Sequence, residues 1–260
     1  MDENEEILLK LKEHPEYIRE LKDADDTLKA FIIRNNGTNI KYIENPSIEL
    51  QMEAVKRTPM AAKYINSIDE NVAIMCVKSA WNSLEYINLK SDKVIEEAVK
   101  TKGWAIQFVN NPSEELQLIA VSRDYDSIKY IKDPSENVQL KAIESYYAAI
   151  KYIKNPTLNA KIASVRENGE AINYMSSYDL DEIKLFIEAN INVVKYIYDS
   201  IDVELVMEVI MEIVKRDDIS RDYIKDFLEL EILEMDKIDF IREYGSKNAK
   251  KYLVDYKLSI

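Results

Sequence analysis

Residues 133–154 read DPSENVQLKAIESYYAAIKYIK, and this order of residue types returns every 22 positions. An aromatic followed by a bulky aliphatic falls at Tyr42-Ile43, Tyr64-Ile65, Tyr86-Ile87, Phe108-Val109, Tyr130-Ile131, Tyr152-Ile153, Tyr174-Met175 and Tyr196-Ile197, each step being 22. A fixed period of this size marks a repeat array, in which each unit buries its apolar face only against its neighbours.

Within the quoted unit Pro134 ends the preceding segment, and Ser135 can accept a hydrogen bond from a free N–H of the next helical turn. The same signal stands at Asn45-Pro46-Ser47, Asn111-Pro112-Ser113 and Asn155-Pro156-Thr157, while Asp69 and Ser91 offer the cap without proline. A first helix of about ten residues is predicted after each cap, as in Ser47–Arg57, with apolar residues on one face. A small residue followed by a β-branched one recurs there: Ala54-Val55, Cys76-Val77, Ala98-Val99, Ala120-Val121, Ala142-Ile143, Ser164-Val165. Small side chains permit close helix approach. A turn follows, with Gly37, Gly103 and Gly169 at one position, suited to a left-handed helix terminator. The second helix is predicted as about two turns, Ala61–Asn66 in one unit and Ser127–Lys132 in another, with Ile128 and Ile131 inward. Neither helix is long enough to stand alone, so stacking must stabilise both.

The expected fold is all-α: a right-handed α-solenoid of about eight helix-turn-helix repeats with helical caps. Residues 1–30 read as an N-terminal helical cap or degenerate repeat, interrupted near His14-Pro15. Residues 31–198 read as the repeat body and 199–260 as an acidic helical cap. In the last segment 201–216 and 220–243 read as two amphipathic helices, followed by a lysine-rich tail from Lys247 to Lys257.

The net charge of −13 lies mainly at the two ends, −5 over 1–30 and −9 over 199–243, so the repeat body is nearly neutral. That balance disfavours bulk attraction to nucleic acid. No apolar run approaches the ~20 residues a membrane helix needs. The acidic start, MDENEEILLK, does not read as a secretory signal, and a lone Cys76 permits no internal disulfide, so a cytoplasmic location is expected.

Residues for chemistry are sparse. His14 is the only histidine, Cys76 sits in a column otherwise filled mostly by alanine, and no glycine-rich phosphate loop exists. Glu96-Glu97 and Glu114-Glu115 lie early in first helices, where carboxylates suit the helix dipole. No catalytic residue, metal site or cofactor is predicted, and no enzyme. Two rows remain. Trp81, Trp104, Tyr125 and Tyr147 fall in the predicted inter-helix turns, either as a partner-binding edge or as a lid on the core. Lys63, Lys129, Lys132, Lys151 and Lys154 align on the second-helix face, with Lys41 and Lys195 in the same row. They read as a ladder for phosphate or an acidic partner, or as a solvated face neutralised by acids; Glu85, Gln107 and Asn173 interrupt the row.

The phrases AVKTKGWAIQFV (98–109) and SVRENGEAINYM (164–175) resemble a short helical-repeat family of uncharacterised function whose units read A-V-K-x-N-G-x-A-L-x-Y. The phrase after Asp133 resembles HEAT-like and leucine-rich-repeat-variant units of bacterial and bacteriophage proteins. The resemblance spans 31–198, implies fold and binding style, and transfers no catalytic residue. With the acidic ends it leads to an expected non-catalytic protein-binding module, an inhibitor of a basic, nucleic-acid-handling host or defence protein. The alternative is nucleic-acid or nucleotide binding through the lysine ladder.

Overall fold

A computed structural model describes residues 3–22 and 24–259 of the chain. They are helical, and no strand occurs among them. The residues gather into two compact units, Met1–Ile131 and Lys132–Ile260.

The first unit holds α1 (Glu3–Glu13), α2 (Asp26–Asn35), α3 (Ile48–Arg57), α4 (Glu70–Ser79), α5 (Asp92–Thr101) and α6 (Glu114–Arg123). After each comes a short 3-10 helix: Pro15–Arg19, Gly37–Tyr42, Pro59–Tyr64, Trp81–Glu85, Gly103–Phe108 and Tyr125–Tyr130. From α2 onward, α-helices stack on α-helices and 3-10 helices on 3-10 helices. The second unit continues the pairing with α7 (Glu136–Ser145), α8 (Leu158–Glu167) and α9 (Leu180–Ala189), and the 3-10 helices Tyr147–Tyr152, Gly169–Tyr174 and Ile191–Val193. It closes with α10 (Val194–Ile197), a 3-10 turn (Tyr198–Ser200), α11 (Val203–Val214), α12 (Arg221–Glu229), α13 (Lys237–Tyr244) and α14 (Lys247–Ser259).

The predicted caps are in place. Ser47, Asp69, Ser91, Ser113, Ser135 and Thr157 each accept a backbone N–H from the first turn of the following helix. The small-then-branched pairs are fully inside, every member at 2% exposure or less. Cys76 Sγ donates to the Pro59 carbonyl at 3.4 Å, and Ser164 Oγ donates to the Tyr147 carbonyl at 2.7 Å, both across 17 residues. Cys76 and Ser164 thus each bond the first carbonyl of the preceding 3-10 helix. Burial pushes the Cys76 thiol up, as for an inert structural sulfur.

Four expectations need correction. The second helix is 3-10, begins two residues earlier and ends on the tyrosine, closed by bonds such as Ile43 N to Ile40 O at 2.9 Å. Short helical pieces of this length commonly take the 3-10 form, which keeps residues three apart on one side. The glycines are not left-handed: positive φ occurs instead at Asn45 (44°) and Asn111 (50°), the residues before proline. Glycine is needed for approach. A Cβ on Gly37 or Gly103 would stand 2.3 Å from the carbonyl oxygen of Ala54 or Ala120.

Third, 220–243 is two helices, because the chain leaves helical geometry at Leu230 and the Lys237 ammonium bonds the Leu228 carbonyl at 3.3 Å and the Leu230 carbonyl. Fourth, the lysine-rich tail is the helix α14, which buries Ala249 and Leu253. Its lysines are the solvated side of an amphipathic element.

A buried polar clamp joins neighbouring pairs. Gln51 donates to the carbonyls of Pro46 (3.1 Å) and Ser67 (3.2 Å) and accepts the N–H of Asp69 (2.9 Å), the cap of the next helix. Gln139 repeats this on Pro134 and Thr157. At the following equivalent position Lys161 replaces glutamine, bonding the Ser177 carbonyl and pairing with Glu182 at 2.8 Å. No helix among the described residues is long and apolar enough to cross a membrane.

Candidate functional site

The aromatic residues singled out above do not lie in free turns. Trp81, Tyr125 and Tyr147 are the first residues of their 3-10 helices and Trp104 the second, all half-buried. Trp81 and Tyr125 share their column with Gly37 and Gly103, so some pairs fill the position with a ring and others leave it to backbone contact.

In the first unit Trp81 and Trp104 meet edge to face at 6.5 Å, Trp81 stacks on Phe108 at 6.1 Å, and Trp104 meets Tyr130 at 6.3 Å. The indole N–H of Trp104 donates to Asp126 Oδ1 at 2.7 Å, and Lys129 pairs with Asp126 Oδ2 at 3.0 Å. The Lys129 ammonium also stands 4.1 Å from the Trp104 ring centre, with Lys102 at 4.9 Å. Lys102 in turn pairs with Asp124 at 2.6 Å, whose other oxygen accepts the Gly103 N–H. Partial burial pushes the Asp126 carboxyl up, but the bonds from Trp104 and Lys129 outweigh it and hold the group below the ordinary aspartate range. The cluster is an ordered aromatic surface whose charges balance internally.

In the second unit Tyr147 packs on Tyr146 at 4.9 Å and on Tyr174 at 6.4 Å. The Tyr147 hydroxyl donates to Glu170 Oε2 and the Tyr174 hydroxyl to Glu170 Oε1, each at 2.9 Å. Both phenols are raised above the ordinary tyrosine range, chiefly by the bond to this carboxylate. The hydroxyl of Tyr174 is therefore committed to Glu170.

The lysine ladder borders these rings, with Lys129 on Trp104 and Lys151 beside Tyr174. Lys63, Lys132 and Lys154 are exposed at or just beyond the ends of their 3-10 helices. Lys41 lies 4.8 Å from the Tyr42 ring and 5.9 Å from Tyr64, and Lys151 lies at the same two distances from Tyr152 and Tyr174. Each of these lysines bridges its own tyrosine and the next. Lys129 belongs instead to the tryptophan cluster.

The carboxylates Asp126 and Glu170 were missed by sequence reasoning, and their signal was available: they stand 44 residues apart, two periods, in the column that also holds Trp104. Among the described residues no group of three His, Cys, Asp or Glu side chains is placed to hold a metal ion. The buried polar side chains Asn39, Gln51, Gln139, Lys161 and Ser164 are engaged with backbone groups or, for Lys161, also with Glu182. Comparison of the chain with protein-family models, curated proteins and solved structures returns no match.

Proposed function

We propose that this chain is a non-catalytic protein-binding module built as a right-handed α-solenoid of about eight repeats. Residues 1–30 and 199–260 act as its caps, and the protein works in the cytoplasm. The observation that supports this reading is the half-exposed aromatic edge, with Trp81 and Trp104 held rigid by ring contacts and by the bond to Asp126. Rigid, partly wet tryptophan and tyrosine are what interaction hot spots use, because little side-chain entropy is lost on contact. The partner is a basic protein, which the net charge of −13 would attract and orient. Competing for a surface that otherwise holds nucleic acid would make the chain an inhibitor of that partner. Affinity capture with wild type and with a Trp81→Ala/Trp104→Ala/Tyr125→Ala/Tyr147→Ala variant, both nuclease-treated, tests this. Loss of a bound basic protein from a variant with unchanged far-UV circular dichroism is the expected result; identical capture by both refutes the edge.

A second reading, nucleic-acid binding, draws on the interleaving of Lys41 and Lys151 with paired tyrosine rings, an arrangement suited to phosphate and stacked bases. It predicts salt-sensitive binding of single-stranded RNA, lost in Lys129→Glu/Lys132→Glu/Lys151→Glu/Lys154→Glu. The protein-binding reading predicts no such binding at low salt.

A further inference from the structure

The 22-residue period allows one part of the chain to be read against another. Asp126 and Glu170 occupy equivalent positions two periods apart, as do Lys129 and Asn173, Tyr130 and Tyr174, Lys102 and Tyr146, and Asp124 and Asn168. In the first unit the acid is neutralised. Lys129 pairs with Asp126 at 3.0 Å while its ammonium rests 4.1 Å from the Trp104 ring and 5.0 Å from Tyr130. The charges of Lys102, Asp124, Asp126 and Lys129 cancel.

In the second unit the acid and its tyrosine are kept, and the cations are replaced. Asn173 stands where Lys129 would be and Tyr146 where Lys102 would be, so the equivalent set retains only the negative charge of Glu170. Glu170 is half-buried, accepts two phenol hydrogen bonds, and among the described residues has no ion-pair partner. Lys151 lies on the rings of Tyr152 and Tyr174, at 4.8 and 5.9 Å. A half-buried carboxylate with two neutral donors and no cation is a site in which a cation would be more strongly held than on open surface.

We propose that Glu170, Tyr147 and Tyr174 form a receptor for an arginine side chain of a protein partner. Each carboxylate oxygen carries one phenol bond, which leaves a lone pair on each for the two parallel N–H groups of a guanidinium. The rings of Tyr147 and Tyr174 lie beside this carboxylate, 6.4 Å apart and tilted 40°, with Tyr146 packed on Tyr147 at 4.9 Å, so π surface adjoins the carboxylate. A planar guanidinium, which bonds a carboxylate with two parallel N–H groups and stacks on aromatic rings, suits this arrangement better than the compact, strongly hydrated ammonium of lysine. Lys129 on Asp126 and Trp104 shows how this protein seats a cation between ring and carboxylate when it supplies one itself.

The proposal rests on the reading of the chain as a module for a basic protein partner, and the two fail differently. Calorimetric titration at low salt uses an acetylated, amidated tri-arginine peptide, with tri-citrulline and tri-lysine counterparts. The proteins are wild type, Glu170→Gln, Asn173→Lys and the charge control Glu208→Gln on the exposed side of α11. Asn173→Lys restores the pairing seen at Lys129 and should close the site from within, without disturbing a fold that already carries that residue two periods earlier. The expected result is about tenfold weaker tri-arginine binding for both Glu170→Gln and Asn173→Lys, with Glu208→Gln like wild type and tri-citrulline unbound. Equal affinity across the four proteins, or tri-lysine binding as tightly as tri-arginine, overturns the assignment. If a basic protein is captured equally well by wild type and Glu170→Gln, the arginine site falls and the module reading survives. If no basic protein is captured by any of them, the module reading falls.

Discussion

At the scale of single residues the small column and its neighbours decide what the chain tolerates. Gly103 faces the Ala120 carbonyl so closely that an added methyl would force the backbones apart. Gly103→Ala is expected to cost about 2 kcal/mol, read as a lower urea midpoint. Ser127 behaves oppositely: it is fully buried, its hydroxyl has no hydrogen-bond partner among the described residues, and equivalent positions hold Ala105 and Ala149. Ser127→Ala should therefore stabilise the protein by about 1 kcal/mol, since it removes a desolvated hydroxyl and leaves a methyl that the column already accepts.

Asp126 gives a pH signature. Its carboxyl is held below the ordinary range in the folded state, so the unfolded chain binds protons first as the medium is acidified. The stability it contributes is full above the unfolded value of about 3.9 and is lost as pH falls through the lower, folded value. The stability difference between wild type and Asp126→Asn should shrink below about pH 4, with the Trp104 emission shifting over the same interval. A difference that stays constant to pH 3 would contradict the pairing.

At the scale of elements, much of the pairing was legible and its geometry was not. Caps such as Ser47 and Thr157 and the Ala-Val columns announce themselves by residue type and period, because each answers one local demand repeated in each pair. The 3-10 form of the second helix was hidden, since Ile128 and Ile131 three apart satisfy either helix. The break between α12 and α13 was hidden as well: Leu230, Ile232, Leu233 and Met235 keep the chain apolar, with no proline or glycine to signal a stop. Gln51 and Gln139 make the clamp, but in the same column Gln117 bonds only the Pro112 carbonyl and Ala73 and Ile95 are apolar, which blurs the pattern. Gln139 bonds both its own turn and the cap of the following helix. Gln139→Ala, which leaves the Pro134 carbonyl and the Thr157 N–H without that partner, is expected to cost about 2 kcal/mol, and native-state hydrogen exchange should speed most at the Thr157 amide.

At the scale of the whole molecule, charge and aromatic surface were visible in the sequence, but the pairing of acid with ring was not. Asn173 read only as a gap in a lysine row, and its meaning emerges once Lys129 is seen on Asp126. The negative balance favours a basic partner, and the lysines that interrupt it are partly occupied: Lys129 with Asp126, Lys41 and Lys151 over tyrosine rings. Association driven by that balance should slow as salt rises, because exposed charges are screened beyond about 10 Å at 0.1 M.

On the proposed function the aromatic edge, and not the lysine row, meets a protein. Photo-crosslinking from a benzoylphenylalanine placed at the exposed Asn82, beside Trp81, and separately at Lys63, tests it in cell lysate. A protein adduct from position 82 that Trp81→Ala abolishes is expected, and none from position 63. An adduct formed only from position 63, and removed by nuclease, would contradict it.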